Sequence, residues 1–109
     1  MRIKLLLLAA ALIFVSNLTY SFDSTRVTFA EAMDALNAEE YETAVDLFTK
    51  YLKISSGHDE GYYQRGNAYY ELKQYDKALT DYSWAYNMGF KKDEVMFEQQ
   101  RLYDSAGVF

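Results

Sequence analysis

An all-α fold is predicted for this 109-residue chain: a helix-turn-helix solenoid of two repeats plus a C-terminal partial repeat or capping helix. The first observation behind it is an echo, since Tyr41, Ala44 and Phe48 recur 34 residues on as Tyr75, Ala78 and Tyr82. Ala32 returns as Gly66, Phe29 as Tyr63 and Phe97, Asp59 as Asp93, and Tyr69 as Tyr103. Internal repetition at such a period marks a chain built of stacked supersecondary units. The second observation is apolar residues at steps of three and four, the spacing of one buried helical stripe. The third is that helix-start and helix-stop residues fall between those stripes.

Each element follows from its own residues. Thr28-Phe29-Ala30-Glu31 forms a capping box, in which Thr28 accepts from the amide three residues on and Glu31 reaches back. The helix it opens carries Phe29, Ala32, Met33 and Leu36 and stops at the polar stretch 37–40. A second helix takes Tyr41, Ala44, Val45, Phe48 and Leu52 and is expected to end near Ser56-Gly57, with the glycine in a left-handed cap. Asp59 is the expected N-cap of a third helix with Tyr62, Gly66, Tyr69 and Tyr70. Lys73-Gln74 turns the chain into a fourth helix with Tyr75, Ala78, Leu79, Tyr82, Ala85 and Tyr86, which Gly89 closes. Asp93 is the expected cap of a fifth, whose Met96, Phe97, Gln100 and Tyr103 lie along one side and should cover the second hairpin.

The block Tyr62 to Ala85, with Gly66, Tyr69, Tyr75, Ala78 and Tyr82, resembles the tetratricopeptide repeat, and the resemblance extends over residues 25–109. It implies repeats at 25–58 and 59–92 and a partial one at 93–109. Paired helices cross closely only where small residues remove bulk, which Gly66 with Ala78 and Ala32 with Ala44 supply, while large aromatics fill the space around them. The first repeat departs from the family pattern at Thr28, Glu31 and Tyr51, and Gly61 is expected to make room for Tyr51. The family's closing proline is absent, because the chain has no proline. Gly107 and Phe109 fall where the family places its inter-helix glycine and the aromatic that opens a second helix.

The N-terminus is of another kind. Met1-Arg2-Ile3-Lys4 is basic, Leu5 to Val15 is uninterruptedly apolar, and Ser16 to Ser21 is small and polar, the order of a secretory signal peptide. The apolar run is shorter than the ~17–25 residues of a spanning helix, so cleavage after Ser21 is expected, with an uncleaved membrane anchor as the alternative. The mature chain, residues 22–109, would then be periplasmic or extracellular, with membrane contact only if the leader stays. Cleavage removes two of the eleven basic residues and none of the sixteen acidic ones, taking the net charge from −5 to −7. That balance argues against a nucleic-acid partner. With no cysteine there is neither a disulfide framework nor a thiol for lipid attachment, so the domain must hold by packing.

No catalytic constellation, cofactor cradle or metal spacing is legible. The single histidine, His58, sits in a loop beside Ser55, Ser56 and Gly57, where a turn role is expected. Glu39, Glu40, Glu42, Asp59 and Glu60 fall at helix starts, where they complement the helix dipole. What remains is surface. In the tetratricopeptide repeat the first helix of each pair lines a concave peptide-binding groove, and the resemblance carries that role to Phe29, Met33, Leu36, Tyr63, Asn67, Tyr70, Glu71, Phe97 and Arg101. Phe29, Leu36 and Tyr70 suit core and groove equally, whereas Asn67 and Arg101 do not suit a core. Those two are also the only matches to the family's lysine- and asparagine-rich carboxylate clamp. Lys77 and Asp81 are expected on the outer face. The chain therefore reads as an exported, non-enzymatic adaptor for a protein or peptide partner. The alternative is a homo-oligomerising structural subunit that uses its exposed end helix.

Overall fold

A computed structural model describes residues 26–107. The expected signal segment, the cleavage point and Phe109 lie outside the described residues. Five helices follow one another among those described: α1 Phe29–Asn37, α2 Tyr41–Ile54, α3 Asp59–Glu71, α4 Tyr75–Asn87 and α5 Lys92–Ala106. Each packs on its neighbour in sequence, and α1 also touches α3. No strand occurs among the described residues, and none of their helices is long and apolar enough to cross a membrane. The fold is thus an all-α helical repeat.

The period is written into the backbone as well as the side chains. Glu39 and Lys73 both adopt φ 60, and Gly107 adopts φ 69 at the next equivalent position. The two inter-helix turns share their hydrogen bonds: Glu40 N–H donates to Ala35 O and Gln74 N–H to Tyr69 O, each at 2.9 Å. A left-handed residue after the helix lets such bonds satisfy the last carbonyls, and it costs a non-glycine residue about 1–2 kcal/mol. At Thr28 the capping box is present in full, with the amide of Glu31 donating to Thr28 Oγ1 at 3.2 Å and the amide of Thr28 to Glu31 Oε2 at 2.7 Å. Gly89, at φ 90, closes α4 in a conformation that L side chains resist.

Two buried clusters make the core. Ala32, Ala35, Ala44, Phe48 and Ala68 fill the first, and Ala78, Tyr82, Ala85, Val95 and Leu102 the second. Small residues let the helices approach and one large ring per repeat fills the gap, as the echo of Phe48 and Tyr82 requires. At Gly66 a Cβ would lie 2.7 Å from the Tyr82 ring and 3.3 Å from Asp81 Cβ, so this crossing admits no side chain.

Several expectations are corrected. α2 ends at Ile54, because Ser55 closes it by donating to Tyr51 O at 2.9 Å, and Gly57 is not left-handed. His58 rather than Asp59 is the N-cap of α3, and Asp59 turns its carboxylate to the amide of Glu60 at 2.8 Å. Likewise α5 begins after Lys91, which leaves Asp93 in the first turn and not at the cap. Gly61 makes room for Leu52, whose Cδ2 would sit 2.8 Å from a Cβ there, while Tyr51 turns to His58 Nδ1 at 3.0 Å and to the Phe29 ring. α5 docks through Val95 and Leu102, leaving Met96 and Phe97 exposed, because the helix lies rotated from the face that the aromatic echo marked. Asp81 is 2% exposed, buried by its ion pair with Arg65, while Lys77 is exposed as expected.

Candidate functional site

The first helices of the successive hairpins, α1, α3 and α5, meet at one cleft of about 310 Å³. Leu36 comes from the end of α1, Tyr41 from the start of α2, Tyr63, Asn67 and Glu71 from α3, and Glu98 and Arg101 from α5. Residues 63, 67 and 71 are one helical turn apart, so their side chains follow one another along a single face. A second cleft of about 440 Å³ adjoins it, lined by Tyr63, Asp93, Glu94, Phe97 and Glu98. Tyr63 and Glu98 belong to both.

Asn67 and Arg101 are held by neighbours. Tyr82, buried below, donates from its hydroxyl to Asn67 Oδ1 at 2.6 Å, and Asn67 Nδ2 donates to Gln64 Oε1 at 3.1 Å. Asn67 thus satisfies a buried phenol whose desolvation unpaired would be costly. Arg101 forms an ion pair with Glu98 and lies over the Tyr70 ring at 4.3 Å, while the Tyr70 hydroxyl meets Ser105 Oγ at 3.0 Å. Glu98 Oε2 has no aligned hydrogen bond, so its contact with Arg101 is Coulombic. Burial first, and Glu98 second, push the Tyr63 and Tyr82 phenols above the ordinary value. Tyr41 is raised as well, by desolvation and then by Glu39 and Glu71.

Of the nine residues nominated from the sequence, Leu36, Tyr63, Asn67, Glu71 and Arg101 line the first cleft, and Phe97 the second. Tyr70 supports Arg101 from beneath. Phe29 and Met33 go elsewhere: Phe29 lines a separate N-terminal cleft and packs edge-on to His58 at 4.7 Å, and Met33 packs on the first core cluster. Sequence reasoning missed Tyr41 and Glu98 in the first cleft and Asp93 and Glu94 in the second as site residues. Tyr41 was visible only as half of the echo with Tyr75, and Glu98 could have been found as the carboxylate one turn before Arg101. His58 holds its place by the Tyr51 hydrogen bond and the Phe29 ring, a structural role. Among the described residues no three histidines or carboxylates gather as a metal would require.

The family model of the tetratricopeptide repeat matches residues 59–83, the whole of α3 and most of α4. The chain carries a tetratricopeptide repeat there, a class of repeat that serves as a protein–protein interaction module. The matched segment contributes Tyr63, Asn67 and Glu71 to the cleft.

Proposed function

We propose that this chain is an exported adaptor that binds a segment of another protein across the face shared by α1, α3 and α5. One observation carries the reading: residues as distant in sequence as Leu36 and Arg101 line a single cleft beside exposed aromatic surface. Side chains already fixed by Tyr82, Tyr70 and Glu98 lose little freedom on binding, which favours affinity. Affinity capture from an envelope extract, followed by titration of the captured partner, tests it. Tyr63→Ala and Arg101→Ala should each weaken binding by about 1 kcal/mol or more with the fold intact. A partner that binds both variants as tightly as the parent refutes the assignment. Export rests on the order of residues 1–21, and intact mass of the envelope-purified protein tests it: a species retaining Met1 to Ser21 and bound to membrane would be anchored instead.

Self-assembly has its own observation in α5, where Met96 and Phe97 are 54% and 67% exposed. Sizing without a partner decides it, since a homo-oligomer dispersed by Phe97→Ala would place α5 between copies of this chain.

A further inference from the structure

We propose that the segment taken by this face is basic as well as apolar, offering lysine or arginine beside aliphatic or aromatic side chains. This rests on the reading of the α1–α3–α5 face as the docking surface. Four carboxylates line the two adjoining clefts, Glu71, Asp93, Glu94 and Glu98, against one cation, Arg101. That cation is already committed to Glu98 and to the Tyr70 ring. Asn67, the neutral donor best placed to hold an anion, is engaged at both ends of its amide by Tyr82 and Gln64. A partner carboxylate would therefore enter a negative field with no free guanidinium to meet it. Lys91 lies 3.6 Å from Glu94, but as an exposed pair it screens that carboxylate only weakly.

A lysine or arginine finds the opposite conditions. Glu71 lines the one cleft and Asp93 the other, and Tyr63, which is common to both, together with exposed Phe97 supplies aromatic surface for a cation and apolar area for its neighbours. Desolvation is the main cause of the raised Tyr41 and Tyr63 phenols, and Glu71 and Glu98 add to the rise as members of the same negative surface. The chain's net charge of −5 extends that field outward and steers cationic segments towards it.

A phage-displayed library of random peptides, selected on the immobilised protein, tests the proposal without a known partner. Peptides that require Tyr63, by comparison with Tyr63→Ala, should be enriched in lysine or arginine beside aromatic or aliphatic residues. Glu71→Lys with Asp93→Lys should weaken them about tenfold. Glu42→Lys with Asp76→Lys makes the same change in net charge on exposed residues outside both clefts, and should leave affinity within about twofold. Circular dichroism of each variant confirms its fold. Tyr63-dependent peptides that are neutral or acidic overturn the basic class and leave the docking face standing. Equal weakening by the two charge-reversed pairs also overturns it, since attraction would then belong to the whole chain and not to the clefts. A selection that yields no Tyr63-dependent peptide overturns the docking face and this inference together.

Discussion

Asp81→Ala should be the most damaging single polar substitution in the second repeat. The carboxylate is 2% exposed and takes two hydrogen bonds from one guanidinium, Arg65 Nε to Oδ2 at 2.8 Å and a terminal nitrogen to Oδ1 at 2.7 Å. The other terminal nitrogen donates to Thr49 Oγ1 at 3.2 Å, so Arg65 ties α2, α3 and α4 together across the repeat boundary. Tyr62 and Tyr69 place their rings 5.6 and 5.9 Å from the same guanidinium. Alanine at 81 would strand a cation whose side chain is 17% exposed, with a threonine and two rings as its remaining support. Breaking a buried pair from one side costs about 3–5 kcal/mol, and the partial exposure of Arg65 places this case near 3. Against a domain stability of about 5–15 kcal/mol that is a large share. Urea unfolding followed by circular dichroism measures it. The double replacement Arg65→Met with Asp81→Leu should recover most of the loss, because it removes both charges and refills the volume. A cost for Asp81→Ala below about 1 kcal/mol, or single and double changes that simply add, would refute the buried-pair account.

Gly66→Ala should cost about 1–3 kcal/mol in the same unfolding assay, since the new Cβ meets a Tyr82 ring that has nowhere to move, while Lys77→Gln should stay within about 0.5 kcal/mol. Lys73→Gly should stabilise by about 0.5–1 kcal/mol, visible as a raised urea midpoint, because φ 60 strains lysine more than glycine's added chain entropy costs. Leu102→Ala should cost about 2–4 kcal/mol and Phe97→Ala under about 0.5, and equal costs would mean that α5 docks on its other face. Raising the pH should destabilise the fold from about pH 10 upward. Burial holds the Tyr82 phenol above its unfolded value of 10.0, so the unfolded chain loses that proton first and stability falls by about 1.4 kcal/mol per pH unit. Tyrosinate absorbance that rises fully before the helical signal is lost would contradict it.

The helices, their pairing and the small-against-large logic of the core are legible in the residues alone, because these depend on local spacing and on a period that recurs along the chain. Thr28 with Glu31, Gly89, Gly66 and the Phe48–Tyr82 echo needed no coordinates to be placed in the fold. Leu36, Tyr63, Asn67, Glu71 and Arg101 of the first cleft were legible through the resemblance to the tetratricopeptide repeat, which implies that the first helix of each pair lines the groove. Tertiary structure decided what periodicity cannot carry. Arg65 and Asp81 stand sixteen residues apart on different helices, and their first-repeat counterparts Glu31 and Leu47 form no such pair, so the echo gave no hint that Asp81 is buried. The rotation of α5 was hidden too: Val95 and Leu102, seven residues apart on one face, are buried in the cluster of Ala78, Tyr82 and Ala85 while Phe97 is exposed, and the aromatic echo marked the other stripe. The sign of the cleft belongs to the structure too, since only the fold brings the carboxylates of α3 and α5 together and commits Arg101 to Glu98 and Tyr70.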